Sequence, residues 1–199
     1  MKPLNNWDTT RAATGEVERI APGGYICYIR GARVETTSTR NGEAERIAIA
    51  LEICEGPYTG FFQKRFDEMR SSSSDPRWPC VFTQFLLDRD GNANPHFKGT
   101  IQAIVESNPG YTWNWDEKTL NGKRVGVIFG EEEFMGRDGQ VRTTVHPRWF
   151  RSADKVRAGD YKIPEKRALR QEQAAAVTAA VTAGLKDITG TGEDDGLPF

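Results

Sequence analysis

The segment that decides the fold is Glu-Arg-Ile-Ala-Ile-Ala-Leu-Glu-Ile, residues 45–53. Large aliphatic side chains occupy every second position of it, at Ile47, Ile49, Leu51 and Ile53. Because successive side chains of a strand point to opposite faces, these four share one face. We therefore predict a β-strand over Glu45–Glu55 with one buried side.

Four more segments have the composition of strands, and one has the signals of a helix. The strands are predicted at 25–34, 61–66, 123–129 and 140–150, and 81–87 fits either a strand or a short helix. Loops are expected at 36–44, 67–79 and 131–139. The helix begins at the capping residue Asn94, has Pro95 in its first turn, and ends at Pro109-Gly110.

This order of elements predicts a mainly β fold. The arrangement is that of an OB-fold-like five-stranded Greek-key barrel with one helix between strands 3 and 4. We expect this body to span residues 1–161. A helical or partly ordered linker, 162–186, should follow, and then a disordered acidic tail, 187–199. The body has 22 basic and 22 acidic residues, whereas the tail has four acidic residues and no basic one.

Several classes of protein are disfavoured by simple absences. The sequence has no run of about 18 apolar residues, and Met1–Thr10 has no apolar stretch. We therefore expect no membrane-spanning helix, no secretory signal and no membrane partner. Cys27, Cys54 and Cys80 lie far apart, which is typical of a reducing cytoplasm rather than of a disulfide framework. With only two histidines, the chain gives no indication of a metal or other cofactor.

Signatures of enzymes are also missing, and we expect no catalytic activity. The sequence lacks a phosphate-binding P-loop, a G-x-S-x-G elbow and an H-E-x-x-H motif. One alternative stays open, because Glu131–Glu133 and Asp138 form a carboxylate-rich segment. Such a cluster can hold magnesium for nuclease chemistry, although a solvated hairpin loop explains it more simply.

Aromatic and basic residues alternate along the predicted strands and loops. Single-stranded nucleic acids bind by stacking bases on aromatic rings while cations line the phosphates. If Tyr111–Trp115 is extended, its three aromatic rings lie on one side. We predict a groove for single-stranded DNA formed by Tyr28, Arg30, Arg33, Arg46, Phe62, Lys64, Arg65, Trp78, Trp113, Trp115, Arg142 and Arg148.

The acidic tail finishes in Glu193-Asp-Asp-Gly-Leu-Pro-Phe199. A pocket on a partner can take the Phe199 ring while a cation beside it pairs with the carboxylate. We call five of these residues the tip: Asp194, Asp195, Leu197, Pro198 and Phe199. The tip resembles the C-terminal tip of bacterial single-stranded DNA-binding proteins. That resemblance implies replication, recombination and repair proteins as partners.

The body resembles a family of small phage replication-module proteins. The segments that carry this second resemblance are Gly23–Ala32, Glu52–Phe62 and Ser107–Trp115, and the similarity spans roughly Asn5–Pro164. It implies a non-catalytic protein that coats single-stranded DNA in the bacterial cytoplasm of a phage host, and we expect a homodimer. A rival hypothesis is a protein-interaction module that mimics the tip without binding DNA.

Overall fold

The computed structural model describes residue 2, residue 5 and residues 18–39, 42–136 and 138–169. The tail and its tip, as well as the linker from residue 170 onward, lie outside these ranges. The elements in chain order are β1 (Gly23–Thr39), β2 (Gly42–Ile53), α1 (Phe61–Ser72), β3 (Val81–Phe85), α2 (Pro95–Ser107), a 3₁₀ helix (Glu117–Leu120), β4 (Arg124–Met135), β5 (Val141–Arg151) and α3 (Ala153–Arg157).

The fold is mainly β, as predicted, and is built on one five-stranded antiparallel sheet. The strand order across the sheet is β3-β2-β1-β4-β5. Strand β1 is long enough to serve two neighbours, since it pairs with β2 over most of its length and with β4 over Gly23–Tyr28. A bulge between Ile29 and Gly31 lies just beyond the point where the pairing with β4 stops. Bulges bend a strand and increase its twist, so β1 changes direction there.

The core lies on one face of this sheet. Ile47, Ile49, Leu51 and Ile53 are all at most 1% exposed, which confirms the predicted shared face. They pack in one cluster with residues of β4, α1 and α2. The Phe82 and Phe150 rings, from the two outermost strands, lie 4.6 Å apart between centroids. The sheet therefore curves around its core until the outer strands meet through these side chains.

Helix α2 confirms the predicted helix and its cap. The Asn94 side chain accepts a hydrogen bond from the His96 backbone N–H at 2.9 Å, and Pro95 occupies the first turn. The segment 81–87, which the sequence left undecided, is a strand over Val81–Phe85. No helix among the residues placed by the structure is long and apolar enough to span a membrane.

Three local predictions are wrong. Phe61–Phe66 is the start of α1 and not a strand, although phenylalanine favours strands by propensity. Most of the loop expected at 36–44 is strand, since β1 continues to Thr39 and β2 begins at Gly42, and the Thr-rich end of β1 suits an extended backbone. The hairpin loop expected at 131–139 begins only after Met135, since β4 pairs with β5 through its glutamates.

The first part of the predicted linker, 162–169, forms no helix. Both backbone groups of Arg167 form hydrogen bonds with β4. Its N–H donates to the Glu131 carbonyl at 3.0 Å, and its carbonyl accepts from the Glu133 N–H at 2.9 Å. Arg167 thereby forms an isolated parallel bridge with Glu132. This short addition covers backbone groups of β4 that β1 does not reach.

Helix α3 packs against the sheet in a second, smaller apolar cluster with Ile26 and Ile128. Close approach there requires glycine in β4. An alanine Cβ at Gly126 would lie 2.4 Å from a Val156 methyl carbon and 3.0 Å from the backbone oxygens of Arg151 and Ser152.

Replacing Gly126 with alanine should lower the free energy of unfolding by about 1–3 kcal/mol, because the added methyl overpacks this cluster. Denaturant unfolding measures the change. Gly99→Ala in α2 is the matched control, since a Cβ there meets nothing within 4 Å. The control should gain about 0.5–1 kcal/mol, because glycine weakens a helix interior. A Gly126→Ala protein as stable as the control would contradict the packing described here.

Candidate nucleic-acid interface

The face of β1, β2 and β3 that points away from the core carries small side chains at its centre. Across the sheet, Gly31 lies opposite Ala50, and Ala50 lies opposite Val81. Residues directly opposite each other in antiparallel strands share a face. An added Cβ at Gly31 would meet nothing within 4 Å, so the space above this centre is open.

A cleft of about 630 Å³ lies over these small residues, and we call it the sheet-face cleft. Its lining combines a floor of small side chains with arginine and aromatic walls, formed by Gly31, Ala32, Arg33, Ala48, Ala50, Pro76, Arg77, Trp78 and Val81. Val81 and Phe85 are also about two-fifths exposed on β3. Two residues of the predicted DNA-binding set, Arg33 and Trp78, thus line one cavity.

An arginine–tryptophan pair stands at the edge of this cleft. The Arg30 guanidinium lies over the Trp78 ring, with Cζ 4.2 Å from the ring centroid. Arg30 also donates a hydrogen bond to the Gln63 side-chain oxygen at 2.5 Å. The Trp78 indole N–H donates to the Leu51 carbonyl at 2.9 Å, and the Phe66 ring packs 5.3 Å away. Both partners are therefore held by α1 and β2.

The carboxylate of Glu52 fixes the beginning of α1. Glu52 is 2% exposed and accepts from the backbone N–H groups of Ile53, Phe62 and Gln63. Gly60, the residue before the helix, has no side chain with which to cap it. Burial raises the pKa of Glu52, whereas these N–H donors and the Arg30 charge act to lower it. A strand residue thus supplies the cap that the helix lacks.

The cations of the cleft are only partly neutralised. Arg33 and Arg46 share one carboxylate, that of Glu35, at 3.1 and 2.6 Å. Hydrogen bonds from these two guanidinium groups lower the pKa of Glu35. Arg77 pairs with Asp75 at 3.2 Å, and both side chains are largely exposed. Exposed ion pairs contribute about 0–1 kcal/mol each, so phosphate groups can compete for these arginines at little cost.

The segment Tyr111–Trp115 does not present three rings in a row as expected. Tyr111 and Trp113 pack against the core, whereas Trp115 is 78% exposed. Trp115 also has a φ of 66°, a left-handed conformation that bulky side chains rarely adopt. The Trp113 indole N–H is buried and has no hydrogen-bond partner in the portion of the chain that the structure describes. Further along, Asn121 accepts from the Ala32 N–H at 3.2 Å, so this segment continues onto the bulged part of β1.

Other predicted contact residues lie away from the cleft, and one is unsuited to the role. Phe62 is buried in the core and stacks on Phe129 at 6.1 Å, so the prediction of a base contact there is wrong. Lys64 and Arg65 instead contact Glu18, through its carboxylate and its backbone carbonyl. Tyr28 is half-buried between its register neighbours Glu52 and Arg124.

The two predicted arginines of β5 hold carboxylates of their own hairpin. Arg142 pairs with Asp138 at 2.6 Å, and Arg148, whose side chain is 9% exposed, pairs with Glu132 at 3.0 Å. Sequence reasoning missed the cleft floor and Gln63. The signal for the floor was present, because Ala48 and Ala50 alternate with the large aliphatic residues of β2.

The carboxylates considered for a nuclease centre are dispersed along the β4–β5 hairpin. Glu133 pairs with Lys166 at 2.8 Å, and Glu132 and Asp138 pair with the arginines just described. Within residues 18–39, 42–136 and 138–169, no group of three or more His, Cys, Asp or Glu side chains gathers to hold a metal ion. The three cysteines are free thiols, and burial raises the pKa of Cys27 and Cys80.

No protein-family model matches the chain, and no curated protein is significantly similar to it.

The Glu52 cap can be tested by removing its carboxylate. Glu52→Ala should lower the free energy of unfolding by about 2 kcal/mol or more, because buried N–H groups at the start of α1 lose their acceptor. Thermal or denaturant unfolding measures the loss. Glu55→Ala is the control, since Glu55 makes exposed pairs with Arg157 and Arg124 and should cost less than about 1 kcal/mol. Equal losses in the two variants would contradict the capping role.

Proposed function

We propose that this protein binds single-stranded DNA non-catalytically, with the strand lying across the sheet-face cleft. The observation that carries the proposal is the Arg30–Trp78 pair, fixed beside an open floor of glycine and alanine. A flat, apolar floor accepts bases or sugars, while arginines at the wall pair with phosphates. Single-stranded nucleic acid needs this combination of a basic groove and planar stacking surfaces.

We further propose that the curved sheet is an OB-fold barrel. The strand order supports this, as do the position of α2 between β3 and β4 and the contact of Phe82 with Phe150. OB-folds are partly open Greek-key barrels that bind oligonucleotides on the face of strands 2 and 3 and on two flanking hairpins. The sheet-face cleft lies on that face, and the β4–β5 hairpin carries Arg142.

The small net charge of the chain, −1, sets a condition on this function. Affinity for DNA depends on phosphates neutralised locally, and each one contributes to the salt dependence of binding. Arg33 and Arg46 share one carboxylate, so they leave one positive charge at the cleft. We therefore expect binding that relies on stacking as well as on ion pairs, with a modest salt dependence.

For the tip we propose a second role, recruitment of replication, recombination and repair proteins. This role rests on the resemblance of residues 193–199 to the tips of bacterial single-stranded DNA-binding proteins. The pattern combines acidic residues, which speed encounter with a basic rim, with an apolar Leu-Pro-Phe end that fills a pocket. A setting in phage replication follows from the resemblance of the body.

Titration of a fluorescent oligo-dT at two salt concentrations tests DNA binding. The wild type should bind, and its affinity should fall as salt rises. Arg33→Glu with Arg77→Glu should weaken binding about tenfold or more and lower the salt slope by about 1.4, because each lost phosphate contact removes about 0.7 from it. Lys98→Glu, an exposed charge reversal on α2, is the control and should leave binding unchanged.

Two results would decide against this proposal. Absence of binding at low salt would favour the protein-interaction module that mimics the tip. Degradation of the DNA on addition of magnesium or manganese would favour a nuclease. Intact DNA together with salt-dependent binding is the expected outcome.

The role of the tip is tested by deleting residues 193–199. The shortened protein should no longer capture a bacterial repair or replication protein that binds tips of this kind. Its affinity for oligo-dT should be unchanged or higher, because the deletion removes negative charge. A shortened protein that still captured such a partner would contradict recruitment through the tip.

A further inference from the structure

We infer that Arg30, rather than Trp78, is the residue that stacks on a base at the edge of the sheet-face cleft, and that Trp78, which lines the cleft, positions it. This inference rests on the proposed function and names one contact within it. The ligand it defines is a nucleobase with a free face, and so an unpaired strand rather than a duplex.

Trp78 is poorly placed to stack on a base itself. Arg30 already lies over its ring at 4.2 Å, and the Phe66 ring packs on it at a centroid distance of 5.3 Å and a tilt of 47°. Its indole N–H is used by the Leu51 carbonyl. The tryptophan is half-buried, so only part of its ring is accessible, on the side that lines the cleft. The role left for Trp78 is to hold the Arg30 guanidinium in position.

Arg30 has the properties of a stacking surface. A guanidinium group is planar, stacks on aromatic rings and is weakly hydrated compared with an ammonium group. With one side on Trp78, its other side remains available, and Arg30 is an exposed residue. Unpaired bases stack on arginine planes as they do on aromatic rings. The guanidinium plane, stacked on the Trp78 ring, therefore provides the outer surface on which a base can stack.

The position of this guanidinium is fixed before any ligand arrives. Gln63 accepts one of its N–H groups, and Glu52 in turn accepts the Gln63 backbone N–H. A side chain held in this way loses less conformational entropy on binding. Directly beside it, the missing Cβ of Gly31 leaves open space for a planar group.

Arg33 differs from Arg30 in each of these respects and provides the matched comparison. Its side chain is 76% exposed and pairs with Glu35 alone among the contacts resolved for it. A phosphate contact needs only the positive charge, which lysine also supplies. A stacking contact needs the plane, which lysine lacks. Arginine-to-lysine substitutions at the two positions therefore separate the two roles.

The experiment measures binding of wild type, Arg30→Lys and Arg33→Lys to oligo-dT and to an oligonucleotide of equal length made of abasic sites. Arg30→Lys should weaken oligo-dT binding by about fivefold or more, the low end of what one stacked base contributes. The salt slope of this variant should equal that of the wild type, because its charge is kept. Its affinity for the abasic strand should stay within twofold of the wild-type value. Arg33→Lys keeps the charge that a phosphate contact needs, so any change in affinity should be the same factor for oligo-dT and for the abasic strand.

A second variant guards against a folding defect. Gln63→Ala leaves the charge and the ring pair intact but releases the guanidinium, and it should weaken oligo-dT binding in the same selective way to a smaller extent. Unfolding curves of all variants accompany the titrations.

Equal losses on both strands in Arg30→Lys, or no loss of oligo-dT binding in that variant, would overturn the inference while leaving the proposed function standing. A wild type that binds neither strand would overturn the proposed function and the inference together.

Discussion

A buried carboxylate joins the sheet to the first helix, and the geometry of the cleft depends on it. Taking Glu52 out of water is costly, and the cost is offset because the carboxylate meets three backbone N–H groups, two of them at the positive end of α1. The Glu52 carboxylate holds the Gln63 backbone in place, and the Gln63 side chain in turn accepts a hydrogen bond from Arg30. A single chain of hydrogen bonds therefore runs from the interior of the protein to its exposed face.

Under the proposed function, this arrangement explains how a nearly neutral protein binds a ligand that carries many negative charges. Neutrality over the whole chain governs long-range attraction, but contact depends on local groups. At the sheet-face cleft the arginines sit in exposed pairs whose partners a phosphate can replace. Stacking adds a contribution that salt does not screen, and it requires a fixed planar group more than a large net charge.

Local signals in the sequence account for what was predicted well. The alternation at Ile47–Ile53 and the Asn94-Pro95 start of α2 are complete within a few residues, so no distant partner is needed to interpret them. Phe61–Phe66 was misassigned because its helix is capped by Glu52 from the preceding strand, a contact that no local pattern reveals. The site shows the same division. Residue type brought Arg33 and Trp78 into the predicted set, and the structure places both on one cavity, but whether a ring such as Phe62 lies in the core or at the surface is decided by packing.

The floor of the cleft also constrains what it can hold. Glycine and alanine are disfavoured in strands relative to β-branched residues, and on an open face they leave backbone surface uncovered. Nothing in the core requires them at Gly31 or Ala50, since both lie on the side away from the buried aliphatic row. Larger side chains there would stabilise the strands, but they would fill the space beside Arg30. Under the proposed function, these small residues leave room for a flat ligand against the sheet, such as a base stacked on the Arg30 plane.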